Sequence, residues 1–386
     1  MGDDSQENRR NIKEDNFTKV KKWLNITIGI VISAAFIYLA FRRVHLREIL
    51  YSLKHINYFW LIPNSLIVIL TMVFRAERWK YLLKSVNNYK ASTLFPSVMI
   101  GFMANNILPV RLGEFLRAYS LGAKTGESRS SIFATIVIER IFDSLALLLM
   151  FWLVIMFVPF PPIVKQFGIF TAVVNGIAIL FLVILKQKNV ALVNWLTRLF
   201  SFLPNKLIEK AEHILLKFVD GLKTFDHIKI LGIVTLWSLI LWIVTALSNY
   251  FIFMAFGIYP GFVASFILLL FVAAGVMLPS APGFIGVYQA AIIGAFGMMN
   301  QIGIIGYQAS QTRLEMTAIS LPAFANMPLV GVSYLLDSAG AFGISKGESL
   351  SFSLVLWLCQ YLPVTLLGLY YLRREHISLK HMNFEK

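Results

Sequence analysis

The sequence predicts an all-α fold: a polytopic bundle of membrane helices with two broken or re-entrant segments that are candidates for a pseudo-symmetric pair. Three observations carry this. Several apolar runs are long enough to cross a hydrocarbon core of ~30 Å, which takes roughly 20 helical residues. The chain is 58% hydrophobic with a mean hydropathy of +0.71, and its apolar runs are continuous where a β-barrel would alternate. Two of the runs are interrupted by Pro, Gly and polar residues, at Asn105–Arg117 and at Leu278–Gly286.

Taken in order, a polar tail over 1–22 precedes the apolar stretch Trp23–Phe41. Arg42 and Arg43 follow where a signal peptide would have a small-residue cleavage site, so the stretch reads as an uncleaved first span. Residues 42–58 are basic and amphipathic, the pattern of a helix lying in the interface. A second span, about 59–74, ends in Arg75-Ala76-Glu77-Arg78-Trp79-Lys80. There Arg75, Arg78 and Trp79 read as interfacial anchors, with phosphate binding as the alternative for the two arginines. The first broken segment occupies 93–121. A span over about 132–158 carries Glu139, Arg140 and Asp143 in its first turns and stops at Pro159, Pro161 and Pro162. Another, 167–185, leads into a basic amphipathic stretch, 186–229. Spans at 230–256 and 261–278 precede the second broken segment. The last span, 350–372, closes at Arg373-Arg374, and 375–386 is a polar tail. One transmembrane domain therefore covers 23–374.

The net charge is +15. Because the cations lie mainly between spans, anionic lipid headgroups are the expected partner and nucleic acid is not. The segments 75–92, 186–229 and 373–386 are rich in Lys and Arg, whereas 159–166 and 257–261 are poor. The positive-inside rule then places both termini in the cytoplasm of a multi-pass plasma-membrane protein. Residues 42–54 fit that topology only as an interfacial helix or with a first segment that does not fully cross. The single Cys359 lies in an apolar run and reads as a packing residue.

The two breaks share a pattern: Leu108-Pro109-x-x-x-Gly113 recurs as Leu278-Pro279-x-x-x-Gly283. Pro removes a backbone donor and Gly relaxes the dihedral limits, so both helices should stop there. The freed backbone groups are tolerated only inside protein or along a watery cavity. Paired interruptions in the two halves of a hydrophobic chain point to a transporter binding site. Arg111, Glu114 and Arg117 are three apart and share a helix face. An arginine there can grip a lipid phosphate bidentately, or the three can form an internal ion network. Asn105 and Asn106 either cap freed backbone or donate to a headgroup. Glu139 and Asp143 are i,i+4, with Arg140 in reach of Asp143. They either bind a cation or relay a proton, or neutralise Arg111 or Arg117 from the next helix. The helix that carries them should pack on the first break, and Arg111, Glu139 and Gly283 should converge on one cavity.

Several motifs together carry a family likeness: Arg75-x-x-Arg78-Trp79, Asn106-x-x-Pro109-x-Arg111-x-Gly113-Glu114-x-x-Arg117, Glu139-Arg140-x-x-Asp143 and Pro282-Gly283-x-x-Gly286. In these the chain resembles the transmembrane-region family of lysylphosphatidylglycerol synthases, also described as flippase-like membrane proteins, over most of residues 20–375. The resemblance implies an integral membrane protein that handles phospholipids or polyprenyl-linked lipids and moves them between leaflets. The candidates for the headgroup site are Asn105, Asn106, Arg111, Glu114, Arg117, Glu139, Arg140, Asp143, Gly283, Gly286 and Gln289. Two-domain relatives append a soluble aminoacyl-transfer domain, whereas this sequence ends soon after Arg374. Where the family often has Glu shortly after the Pro-Gly motif, this chain has Gln289. Gly294-Ala295-Phe296-Gly297 recurs as Gly340-Ala341-Phe342-Gly343, which marks about 298–339 as an insertion.

The chain has no Gly-x-x-x-x-Gly-Lys-[Ser/Thr] loop for nucleotide phosphates and no His-Glu-x-x-His zinc helix, and its six His are dispersed. The expectation is a lipid-translocating protein with no catalytic residues, metal or cofactor, acting on an anionic phospholipid or lipid-linked sugar. The rival is a membrane component of a lipid-linked glycosyl or aminoacyl transfer system, working with a separate transferase.

Overall fold

The computed structural model describes residues 34–38, 46–108, 112–158, 160, 162–187, 212, 214, 216–223, 228–278, 280–301 and 344–375. Most of the first span, most of 186–229, nearly all of the insertion and both polar tails lie outside these, as do Pro109, Arg111 and Pro279.

The described residues are all helical in their regular structure. A short amphipathic helix, α1 (Leu46–His55), has Glu48 in its first turn and Lys54 and His55 in its last, charges that complement the helix dipole. It buries Ile49 and Ser52 and exposes Leu50 and Tyr51. Next come α2 (Leu61–Leu82), α3 (Ala91–Ile107), α4 (Gly113–Thr125) and α5 (Arg129–Ile155). Then follow α6 (Pro162–Gln187), α7 (Ile228–Ala255), α8 (Phe262–Val276), α9 (Val287–Gln301) and α10 (Lys346–Arg374). The start of α10 is fixed by a capping box in which the Ser345 and Glu348 side chains each accept the other's backbone N–H.

Five stretches of the described residues are long and apolar enough to cross a membrane: Tyr58–Ser85, Val164–Leu185, Ile228–Ala255, Pro282–Asn300 and Lys346–Arg374. The helix α5 has the length as well, but it carries Glu139, Arg140 and Asp143 in its middle.

Long-range contacts identify two ends of the bundle. At one end the Asn57 N–H donates to the Ala255 carbonyl (2.8 Å), and the Ser351 hydroxyl approaches the Ile49 carbonyl. At the other end, Asn87 donates to Glu127 (2.9 Å) and Lys124 pairs with Glu375 (2.7 Å). Helices α3 and α4 leave this second end, fold back at residue 108 and return, as a hairpin. Its arms are so close that a Cβ on Gly113 would overlap the Gly101 carbonyl oxygen, and a Cβ on Gly101 would meet Arg117. Farther along, the Ser97 and Ser120 hydroxyls meet at 3.0 Å. Helices α8 and α9 form a second hairpin, with Gly275 against Ala291, and it enters from the first end. The two turns meet inside: a Cβ on Gly283 would touch the Asn106 carbonyl oxygen at 3.5 Å.

Each hairpin organises its own apolar core. Around the first, Trp79, Leu82, Leu94, Val98, Leu121 and Ile138 are buried. Around the second, Phe253, Ile267, Phe296, Phe352 and Leu356 are. The rings of Phe253, Phe296 and Phe352 stand edge-on or tilted with centroids 4.9–5.7 Å apart, the geometry ring quadrupoles favour.

One expectation is overturned here. The helix α2 continues past the apolar span of about 59–74 and runs on to Leu82. Arg78 and Trp79 are 0% exposed and Arg75 is 7% exposed. These three residues face the bundle interior and do not anchor at a lipid interface. The reason is local: Asp143, Glu139 and Thr135 on α5 supply partners that a snorkelling side chain would otherwise seek in water.

Candidate functional site

The first break is built from backbone satisfaction. Once α3 ends at Ile107, the opening N–H of α4 needs an acceptor, and the Asn105 side-chain oxygen takes it from Gly113 (2.8 Å). The Asn106 amide instead donates to the Thr365 hydroxyl on α10 (2.9 Å). The second break uses the same chemistry. Gln289, 2% exposed, turns back to accept the Gly286 N–H (2.7 Å), a task that a neutral amide performs as well as a carboxylate. Gly283 and Gly286 have φ of 73° and 88°, a region open to Gly at little cost.

Behind the first hairpin lies a buried ion cluster. Glu139 sits ten residues into α5, about 15 Å along it and so near the middle of the bundle. It accepts Arg117 through both oxygens (3.0 and 2.9 Å), Arg78 at 3.1 Å, and Arg140. Asp143 accepts Arg78 and Arg140 (3.2 Å), and Arg75 stands 3.6 Å away. The Arg117 guanidinium also lies over the Trp79 ring (3.8 Å), and the indole N–H is held by Thr135 (3.0 Å). Among the described residues, four guanidiniums thus share two directly paired carboxylates, an excess of positive charge. Glu114 acts on Arg140 only through space.

Between this cluster and the meeting point of the hairpin turns is a cavity of about 250 Å³. Arg75 and Phe102 line it on the cluster side, with Trp242 and Asn249 from α7. Asn106, Gly283, Trp357 and Tyr361 line it on the hairpin side. The Arg75 guanidinium lies over the rings of Phe102 (4.7 Å) and Trp242 (5.6 Å). Its Nε and Nη1 have no hydrogen-bond acceptor among the described residues, and neither has the Trp242 indole N–H. A buried donor without an acceptor costs about 1–3 kcal/mol, and within the cluster the Nε groups of Arg78, Arg117 and Arg140 lack one as well.

Of the three residues expected to converge on one cavity, Gly283 lines this one, beside Asn106, and Glu139 does not. That residue is 0% exposed, on the far side of Arg75 in the cluster. Its role is the neutralising alternative: Arg117 pairs across to Glu139, and α5 packs on α4 as expected. Arg111 lies outside the described residues. The cavity residues that the sequence reading missed are Phe102, Trp242, Asn249, Trp357, Gln360 and Tyr361. A signal was available for two groups: Ser238, Thr245, Ser248 and Asn249 interrupt the apolar run of α7, and Trp357, Gln360, Tyr361 and Thr365 recur at helical spacing on α10. Among the described residues no group of three or more His, Cys, Asp or Glu is placed to hold a metal ion.

Comparison with known proteins adds an independent line. The family described as the lysylphosphatidylglycerol synthase TM region matches residues 26–311. A UPF0104 membrane protein of Methanocaldococcus jannaschii is 27% identical over 227 residues, 53% of this chain and 87% of that protein. One of Pyrococcus horikoshii is 24% identical over 311 residues, 74% of this chain and 90% of that protein. One of Methanothermobacter thermautotrophicus is 24% identical over 261 residues, 64% and 75% respectively. No solved structure matches.

Proposed function

The chain belongs to the lysylphosphatidylglycerol synthase transmembrane-region family, a multi-pass membrane protein, and from that premise we propose that it translocates anionic lipids between leaflets. The observation that carries the reading is Arg75, a buried cation on the wall of a cavity between two helix hairpins, whose carboxylate contact among the described residues is Asp143 at 3.6 Å. A lipid phosphate gives this guanidinium the close anionic acceptor that Asp143 at 3.6 Å does not, and a guanidinium can take two phosphate oxygens at once. The cluster behind Arg75 raises the local positive charge and holds the guanidinium at the cavity. Long acyl or polyprenyl chains stay in the bilayer while only the headgroup enters, which suits a volume of about 250 Å³.

Hairpins that enter from opposite ends and meet turn to turn form an inverted pair, and a site near the midplane between such elements is the arrangement of alternating access. Residues Lys80, Lys84, Lys90, Lys124 and Arg373 gather at the end from which the first hairpin enters. By the positive-inside rule that end is cytoplasmic in the plasma membrane. Arg75 and Arg78, being buried, do not count towards it.

The test is leaflet exchange in vesicles. Purified protein reconstituted with acyl-labelled phosphatidylglycerol should render the label on the inner leaflet accessible to an external quencher faster than protein-free vesicles do. Arg75→Gln should remove most of that gain. Exchange no faster than in empty vesicles, or undiminished in Arg75→Gln, would overturn the proposal.

A further inference from the structure

Both hairpins are held by one helix, α10, and its construction bears on how they move, a point that rests on the translocation reading above. The first part of α10 holds the second hairpin. Phe352 meets Phe296 of α9 with ring centroids 5.0 Å apart, and Leu356 is buried in the same core. The Trp357 indole N–H donates to the Gly283 carbonyl in the turn (2.7 Å), and Gln360 accepts the Tyr288 hydroxyl of α9 (2.9 Å). The second part of α10 holds the first hairpin. Thr365 accepts the Asn106 amide (2.9 Å), and Gly368 lies against Met99 and Met103 of α3. Tyr371 meets the Phe95 ring at 5.7 Å, and Glu375, just past the helix end, pairs with Lys124 of α4 (2.7 Å). The change of partner falls between Gln360 and Thr365.

Pro363 stands at that change. Inside a helix, proline has no N–H to give to the carbonyl four residues back, here that of Cys359, and its ring crowds that carbonyl. One rung of the backbone ladder is therefore missing, and the helix bends most easily at that point. Other helices also reach both apolar cores. Of these, α5 and α7 contain no proline. Pro63 of α2 and Pro162 of α6 lie in first turns, where a helix has no backbone bond to lose. These four form a continuous frame beside which α10 can flex. The cavity lies at the level of the break, since Trp357, Gln360, Tyr361 and Val364 line it.

We infer that Pro363 is the hinge on which the two hairpins move relative to each other. Flexing there carries the first hairpin with one part of α10 and leaves the second with the other part. The joint at Asn106 and Gly283 then opens and closes beside the cavity. Hinges are a few positions that absorb the backbone change for larger bodies on either side, and rocking of such bodies about a central site is how alternating access is achieved. Pro363 acts through the hairpins it separates and needs no contact with the lipid, so it is a positioning residue.

The experiment reads the hinge by distance and its consequence by exchange. In a Cys359→Ala background, nitroxide labels are placed at Lys229→Cys, at the start of α7, and at Arg374→Cys, at the end of α10, both exposed positions. Arg374 lies about 16 Å along the helix beyond Pro363. A change in bend of about 20° would move it by roughly 5 Å. In phosphatidylglycerol vesicles the chain with Pro363 should show two distances, and Pro363→Ala, which restores the missing N–H, should show one. Pro363→Ala should also slow exchange of acyl-labelled phosphatidylglycerol by roughly tenfold or more without lowering the thermal midpoint. Pro363→Gly, which keeps the site pliant, should hold exchange within about threefold of wild type. Two distances that collapse to one in Pro363→Ala, with no exchange by the wild type, would sustain the hinge and sink translocation. A single distance with Pro363 in place, two that persist in Pro363→Ala, or undiminished exchange by Pro363→Ala would overturn the hinge and leave translocation to stand on the wild-type rate.

Discussion

Arg117 of α4 and Glu139 of α5 meet as a bidentate pair, with Nη1 to Oε1 at 3.0 Å and Nη2 to Oε2 at 2.9 Å, and both side chains are at most 2% exposed. The pair ties the returning arm of the first hairpin to the next helix. Glu139 also serves Arg78 and Arg140, so the two partners are not equivalent. Removing one partner of a buried pair costs about 3–5 kcal/mol, because the other is left charged and unpaired. Glu139→Gln leaves Arg117 without a carboxylate and takes one of two from Arg78 and Arg140, which keep Asp143, whereas Arg117→Met strands none. We expect Glu139→Gln to lower the thermal midpoint in detergent by clearly more than Arg117→Met. Equal losses would show that the network is not organised around Glu139.

The hairpin itself depends on two glycines. Gly113 lies against the Gly101 carbonyl and the Asn105 side chain, so an added methyl group has backbone to displace. At Gly101 the nearest atoms belong to the Arg117 side chain, with the Gly113 carbonyl oxygen next. Overpacking of this kind costs roughly 1–3 kcal/mol. Gly113→Ala should therefore be the more damaging, and Asn105→Ala should add a cap loss of about 0.5–2 kcal/mol. Thermal unfolding of the three variants checks the order. Gly113→Ala folding as well as wild type would contradict the tight approach.

Much of this was legible in the sequence, and the misses have physical causes. Helix positions follow from apolar length, and both breaks were marked by Pro and Gly, which act locally. The pairing of Glu139 with Arg117 was readable as a choice because intramembrane charges need partners. Arg75, Arg78 and Trp79 were misplaced because a cation beside Trp near the end of an apolar run has the same local signature in an interfacial anchor as in a buried cluster. What separates them is Asp143, 65 residues from Arg78 in the chain. The cavity wall was missed for a similar reason: Trp242 and Trp357 look like ordinary bundle aromatics until two helices are placed face to face.

Gly283 tests the joint between the hairpins. Its φ of 73° is costly for a side chain, and a Cβ would also meet Tyr361 at 3.1 Å and Trp357 at 3.4 Å. Left-handed backbone costs most residues about 1–2 kcal/mol, with Asn penalised less. If backbone dominates, Gly283→Asn should be tolerated better than Gly283→Ala despite its greater bulk. If contact with Trp357 and Tyr361 dominates, the order inverts. Thermal midpoints of the two variants decide which, and either result locates the constraint.

Arg75 separates stability from function. Its two unsatisfied donors cost about 1–3 kcal/mol each, while its contacts with Phe102 and Trp242 return roughly 0.5–2 kcal/mol. Asp143, at 3.6 Å, already has Arg78 and Arg140 as closer partners. The costs outweigh the gains, so a residue kept only for the fold would not be Arg. We expect Arg75→Met, similar in length and apolar, to raise the thermal midpoint by an amount equivalent to about 1 kcal/mol or more. The same variant should lose phosphatidylglycerol exchange. A residue that binds a ligand produces this opposition, because the ligand supplies in the complex what the empty protein lacks. A fall in the midpoint for Arg75→Met would make Arg75 a structural member of the ion cluster and would remove the main support for an anion site in the cavity.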